Sequence, residues 1–261
     1  MTDTTLNFSK PSLALLTAEP WRATAEFLSF KLLVDLKPKY KVKIKTFADV
    51  PISDREPVII FPGMATDGKA VAPLRRFCQS LGYNAMDWGK GLNTGPRADI
   101  DAWLVDLAEH TSTLLRGRRQ PATLIGWSLG GIYARELGKL LAPKVKQVIT
   151  IATPFNADAD HTHVGWIFKL LSGASAQFPQ ALNDRLRTPP PVPTTSIYSR
   201  SDGVVAWQTC IHTPHVFHDT QVEDVQVSGS HIGMGWNPQV LKIVADRLAQ
   251  PAGQWTPYAQ P

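Results

Sequence analysis

Residues 122–141 read Ala-Thr-Leu-Ile-Gly-Trp-Ser-Leu-Gly-Gly-Ile-Tyr-Ala-Arg-Glu-Leu-Gly-Lys-Leu-Leu. The first six are apolar or small, the pattern of a strand buried on both faces. The stretch from Leu129 to Leu141 reads as a helix, and it stops before Pro143, which cannot continue one. Only Ser128 separates the two patterns, with Gly126 and Gly130 two residues to either side. A strand that passes straight into a helix through a glycine-rich turn is a building unit of a parallel α/β sheet.

The flanking sequence repeats that unit. Pro57 to Phe61 (PVIIF) is a short apolar run ended by Pro62-Gly63, and Tyr83 to Trp88 is a second candidate strand. Ile100, Trp103, Leu104, Leu107, Leu114 and Leu115 recur at helical spacing, with Gly117 just beyond. Val145 to Ala152, Thr194 to Ser199 and Val222 to Val227 are β-rich, and a last helix is expected from Pro238 to Leu248. The expected fold is therefore α/β: one domain over residues 1–261, with a mostly parallel twisted sheet and helices on both faces. Two segments break the rhythm. Residues 11–37 hold a helical stretch, Trp21 to Leu36, before the first strand. Residues 155–193 form a long insertion with an apolar cluster (Val164, Trp166, Ile167, Phe168, Leu170, Leu171) and a proline run, and an insertion of that length reads as a lid or cap.

Composition narrows the function classes. The 261 residues are 43% hydrophobic and 19% charged, too apolar for a disordered chain, and no repeat is visible. No window approaches the ~20 apolar residues of a membrane span. The net charge of +5 is concentrated on Lys39, Lys41, Lys43 and Lys45, which alternate with Tyr40, Val42 and Ile44. That is a strand with one wet face, read as a charged edge. No arginine or aromatic cluster accompanies the lysines, so no nucleic acid is expected. Arg116, Arg118 and Arg119 suit a helix C-terminus. Cys78 and Cys210 are too few for a disulfide framework and read by default as free buried thiols, with a single bridge between them left open. Met1 to Lys10 lack a basic segment followed by an apolar core, which leads to the expectation of a cytoplasmic chain without stable membrane insertion, with a secreted mature form as the open alternative. Contact with a lipid interface stays open, and so does the oligomeric state.

Chemistry concentrates in three places. Gly126-Trp127-Ser128-Leu129-Gly130 fits Gly-x-Ser-x-Gly, a pattern that arises by chance in roughly one chain of this length in ten. Its place between strand and helix is what gives it weight: such a turn holds the serine in a strained conformation and raises its hydroxyl above the sheet at a helix N-terminus. A serine needs a base. Among seven histidines, His231 stands between the last strand and the last helix, at the carboxyl end of a parallel strand, where the sites of such sheets gather. His212, His215 and His218 read as surface or loop residues, and His110 as solvent-facing on its helix. The orienting acid belongs between serine and histidine in the chain, and Asp202 lies at the exit of the strand Thr194 to Ser199. Asp184, Asp219 and Asp224 are its rivals. The backbone N–H groups of Leu129 and Met64 are the candidates for an oxyanion hole.

The segments FPGM, GWSLGG, SRSDGVV and SHIGMGWNP, in that order, resemble those of α/β-hydrolases of the bacterial esterase and lipase kind, over roughly residues 57–249. The resemblance implies the α/β-hydrolase fold and a serine hydrolase working through an acyl-enzyme, with Ser128 as nucleophile, His231 as base and Asp202 as its partner. Pro62-Gly63 stands where many lipases have His-Gly, a departure that touches the Met64 donor. The expected substrate is a small ester with an apolar acyl chain. Trp127, Trp166, Phe168, Trp207, Met234 and Trp236 are candidate pocket residues, with Trp88 and Met64 also expected near the cleft. No cofactor and no metal are expected. An acyltransferase, thioesterase or amidase would use the same serine, and a binding module would keep only the fold. Two other motifs compete. Gly63 to Lys69 has the frame of a phosphate loop, but Ala70 stands where a Ser or Thr should hold magnesium. Asp158, Asp160, His161 and His163 could hold a structural metal, although neighbouring polar loop residues are more often simply solvated.

Overall fold

The computed structural model describes residues 9–35, 54–96, 99–156, 180–212 and 221–259. Among these residues, six strands form one sheet: β1 (Pro57–Phe61), β2 (Asn84–Asp87), β3 (Ala122–Trp127), β4 (Val145–Ile151), β5 (Thr194–Ser199) and β6 (Val222–Val227). Their order is β2-β1-β3-β4-β5-β6, and every neighbouring pair is parallel. β1 and β3 are buried at every position, which is why their sequences run apolar without alternation.

The helices are α1 (Leu13–Asp35), α2 (Ala72–Ser80), α3 (Ile100–Leu114), α4 (Leu129–Leu140), α5 (Gln180–Arg187) and α6 (Pro238–Ala249). Right-handed crossovers assign their faces. The step from β1 to β2 moves outward and the step from β2 to β3 returns past β1, so α2 and α3 lie on opposite faces. α3 and α5 pack against α4, whereas α1 and α2 pack against α6. Local chemistry sets two of the helix starts. The Asp99 side chain accepts from the Asp101 and Ala102 N–H groups ahead of α3. Asn237 does the same for Gln239 and Val240, with Pro238 in the first turn of α6.

The chain order reverses between β1 and β3, the switch point where such sheets open a crevice at their carboxyl edge. The register pairs Phe61 with Gly126, Trp127 with Ile151 and Ser199 with Val227. The loops leaving β1, β3, β5 and β6 thus emerge along one edge.

α1 starts at Leu13, eight residues before the expected start at Trp21. Pro20 lies inside it and hid the first turns from a sequence reading, because proline removes a helical hydrogen bond. Contacts along one face of α1, set out below, stabilise it in spite of Pro20. The lysine-rich strand at 39–45 and residues 157–179 of the insertion lie outside the described residues. Among the described residues, no helix is long and apolar enough to cross a membrane.

Candidate active site

The turn from β3 into α4 is built by close approach. A Cβ on Gly126 would lie 2.3 Å from the Gly130 carbonyl oxygen, and one on Gly130 would lie 2.2 Å from the Phe61 carbonyl oxygen. Only glycine fits at either position, so β1, β3 and α4 meet almost backbone to backbone. Ser128 between them has φ 53° and ψ −123°, a left-handed conformation that a side-chain-bearing residue adopts only when its surroundings enforce it. Its N–H is held by the Ile151 carbonyl at 2.8 Å.

The histidine and the acid arrive on neighbouring loops. His231 Nδ1 lies 2.7 Å from Asp202 Oδ2, and its Nε2 lies 3.1 Å from Ser128 Oγ. Asp202 accepts at both oxygens, since its Oδ1 takes the Val204 and Val205 N–H groups at 2.8 Å each. A carboxylate so placed accepts from His231 Nδ1–H, which leaves the Nε2 lone pair aimed at the serine hydroxyl. Ser128, Asp202 and His231 are 6%, 3% and 6% exposed, so this line of bonds is almost closed to solvent. Burial disfavours the imidazolium. The Asp202 charge and hydrogen bond, helped by Glu19, outweigh that cost and raise the His231 pKa above 6.5. Of the rival acids, Asp184 is bonded to Gln180 on α5 and Asp224 to His212, while Asp219 lies outside the described residues.

Leu129 opens α4, so its N–H has no partner one turn back. Gly63 packs on Ser128, bringing the loop after β1 over the elbow. Sequence reading missed what holds that loop. Buried Asn93 donates its side-chain amide to the Pro62 carbonyl, its backbone exchanges bonds with Ala65 and Thr66 at 2.8 Å each, and its Oδ1 takes the Tyr133 hydroxyl. Met64, between these anchors, is partly buried against the core.

The family model described as the alpha/beta hydrolase family matches residues 58–259. The chain belongs to the alpha/beta hydrolase family. Solved structures share the fold of this family member at low identity. Lipase B of Aspergillus fumigatus is 16% identical with a TM-score of 0.60, over 79% of this chain and 56% of that one. The mature form of Bacillus licheniformis lipase BlEst2 is 15% identical with a TM-score of 0.54, over 74% and 91%. A pyrethroid hydrolase from Sphingobium faniae is 15% identical with a TM-score of 0.51, over 76% and 98%. The chain spans little more than half the length of the fungal lipase. No curated protein matches its sequence.

Within this alpha/beta hydrolase, the expected tryptophan-lined cleft resolves into separate local roles. Trp127 donates its Nε1–H to the His231 carbonyl at 3.1 Å and so props the histidine loop. Trp236 donates to the Ala23 carbonyl and meets Phe27 edge-on, fastening α1. Trp207 stacks on Tyr198 beneath the Arg200 guanidinium. Trp88 is buried against Tyr133, and Met234 is fully buried in the core. Trp166 and Phe168, like Asp158, Asp160, His161 and His163, lie outside the described residues. No cluster of metal-ligating side chains occurs among the described residues. A surface hollow of about 780 Å³ lies between the C-terminal ends of α3 and α4, at the far end of α4 from Ser128.

Two histidine expectations are corrected. His110 is partly buried, with Nε2 2.9 Å from the Trp88 carbonyl, because the β2–α3 connection folds back over that helix face. His212 is buried between Asp224 and Arg135, with Nδ1 bonded to the Asp224 carboxylate and Nε2 accepting from the Arg135 guanidinium. Cys78 and Cys210 are free and buried, and burial pushes the Cys78 thiol up to about 12 and Cys210 well above its ordinary value. Neither is poised to act as a thiolate at neutral pH.

Proposed function

We propose that this chain is a serine hydrolase of carboxylic esters, an esterase or lipase, acting through an acyl-enzyme. The observation that carries the reading is the unbroken line from Asp202 through His231 to Ser128 at the switch point of the sheet, with bonds of 2.7 and 3.1 Å. Ser128 Oγ attacks the ester carbonyl while His231 Nε2 takes its proton. Negative charge then develops on the carbonyl oxygen, within reach of the Leu129 and Met64 N–H groups and the positive end of α4. The imidazolium, stabilised by Asp202, returns the proton to the departing alcohol. Water then repeats the sequence on the acyl-enzyme and frees Ser128. Each step needs only groups of this chain.

The site is read as belonging to one domain, with the insertion at 155–193 leaving the sheet from the carboxyl edge that bears Ser128. Its described part, α5, is tied to α4. Lys139 bonds the Arg185 carbonyl and Arg135 bonds the carbonyls of Leu186, Arg187 and Thr188.

Labelling with a fluorophosphonate probe, followed by mapping of the adduct, tests the nucleophile. Labelling on Ser128 that vanishes in Ser128→Ala supports it, and labelling that persists removes it. p-Nitrophenyl esters of increasing chain length test the substrate class. Turnover is expected to favour apolar acyl chains, and hydrolysis of amides or thioesters with esters left untouched would overturn the ester assignment.

A further inference from the structure

The helix that precedes the family match carries a stripe of polar side chains aimed at the two catalytic loops. Glu19, Arg22 and Glu26 stand at i, i+3 and i+7 of α1, on one helical face. Glu19 is 2% exposed, and its carboxylate accepts from three backbone N–H groups. Its Oε1 accepts from Gly203 at 2.8 Å and from His231 at 3.0 Å, and its Oε2 accepts from Ile232 at 3.2 Å. A single carboxylate oxygen therefore joins the residue after Asp202 to the backbone of His231. Arg22 donates to the carbonyl and hydroxyl of Ser201, and Glu26 accepts the Ser230 N–H at 2.7 Å and the Asn237 amide at 3.1 Å. The fit is close enough to require glycine at 203, where a Cβ would lie 2.5 Å from the Leu15 carbonyl oxygen.

We infer that Glu19 is a positioning residue, which sets the separation of the Asp202 and His231 loops and so the aim of His231 Nε2 at Ser128. The inference rests on the serine-hydrolase reading above. The two loops already meet at their bases, where Ser199 Oγ donates to the Gly229 carbonyl and accepts the Gly229 N–H, and Glu19 adds a second tie beside the 2.7 Å acid–base bond itself. Charge-assisted bonds to a buried carboxylate constrain both loops at once. The family match begins at residue 58, so this device lies outside the segment that the family model describes.

Glu19 also acts through its field. The charged groups around His231 are Asp202 at the exit of β5 and Glu19, Arg22 and Glu26 from α1. Burial lowers the His231 pKa, while Asp202 and then Glu19 raise it. Arg22 lies 3.7 Å from Glu19. Glu26 spends its bonds on Ser230 and Asn237 and is the natural control.

The test is the pH dependence of fluorophosphonate labelling in the full chain, which needs no knowledge of the substrate. Glu19→Gln is expected to lower the plateau rate about tenfold or more, as small misplacements of a catalytic group do. It is also expected to shift the acid limb to lower pH. Glu19→Asp keeps the charge and draws the carboxylate back, so it should restore the acid limb and leave the plateau low. Glu26→Gln should leave the acid limb in place. A Glu19→Gln profile that overlays the wild type would overturn the inference. So would failure of both Glu19 variants to fold while Glu26→Gln folds, because Glu19 would then be structural only. Absence of Ser128-dependent labelling in the wild type would instead defeat the serine-hydrolase reading itself.

Discussion

Among the described residues, two buried histidines are each paired with an aspartate, and the two pairs differ at one atom. His231 bonds Asp202 through Nδ1 at 2.7 Å, and His212 bonds Asp224 through Nδ1 at 2.8 Å. Both rings carry the proton on Nδ1 when neutral. His231 Nε2 faces the Ser128 hydroxyl, whereas His212 Nε2 accepts from the Arg135 guanidinium at 3.0 Å. An arginine can only donate, so it occupies the lone pair that a base would need. The shifts follow. Burial lowers both histidines, but Asp202 and Glu19 carry His231 above its ordinary value. His212 stays below, because Arg135 adds its repulsion to burial and Asp224 does not compensate fully. An aspartate at Nδ1 thus makes a base only where Nε2 meets an uncharged partner. On the proposed serine-hydrolase reading, the lone pair decides whether the pair serves chemistry or holds the fold together.

The comparison can be broken at several points. The largest effect is expected from Ser128→Ala, which should abolish fluorophosphonate labelling and ester turnover with an unchanged melting curve. Replacing His212 with Gln should leave labelling per folded molecule intact. Next is Asp202→Asn. Loss of the charge and of the correct tautomer should lower kcat about 10³–10⁴-fold, measured by steady-state turnover. The Val204 and Val205 N–H bonds can pass to the asparagine oxygen, so stability should change little. Arg135→Met should reverse that pattern. It leaves His212 Nε2 and the carbonyls of Leu186, Arg187 and Thr188 short of a donor, at a cost of about 3–5 kcal/mol. In calorimetry that is a fall in Tm on the order of 10 °C, with labelling of the folded fraction preserved.

pH separates the pairs more gently. The base must be neutral, so turnover should rise through a pKa above 6.5, the ordinary histidine value, and an acid limb at or below it would contradict the raised His231. For His212 the folded pKa is depressed. Stability is then full above the unfolded value near 6.5 and is lost as pH falls through the lower folded value, because the unfolded chain takes the proton first. Arg135→Met should flatten that loss in pH-dependent melting. The smallest effect is expected from Trp127→Phe, which removes the bond to the His231 carbonyl. It should cost about 1 kcal/mol in stability and only a few-fold in kcat.

How much of this could be read from the chain depended on whether a signal was local. β1, β3, β5 and β6 stand where their apolar or β-rich runs and flanking turn residues put them. Ser128 announced itself through glycines within two residues. Asp202 and His231 were readable as residues at strand exits, because a parallel sheet delivers every such exit to one edge. The partners of His212 were not readable in this way. Asp224 is twelve residues away and Arg135 is 77, and nothing in the spacing shows that they meet. Trp127, Trp207 and Trp236 read as pocket residues because aromatic residues line many pockets, and the bond of Trp127 to the His231 carbonyl, the stack of Trp207 on Tyr198 and the bond of Trp236 to the Ala23 carbonyl were not legible in the sequence. In α1, Pro20 concealed the first turns, and the spacing of Glu19, Arg22 and Glu26 resembles an ordinary solvated face.

The sequence by itself determined the alternation of strand and helix, the glycine-bound elbow at Ser128 and the order of the residues that reach the carboxyl edge. These rest on periodicity and on steric demands between near neighbours, which any stretch of chain carries with it. Tertiary structure alone decided which charges are buried and what each one faces. Glu19 reaches Gly203 and His231 across 184 and 212 residues. A charge leaves water only where the folded chain brings donors to meet it, and those donors come from segments that share nothing but their place in the fold.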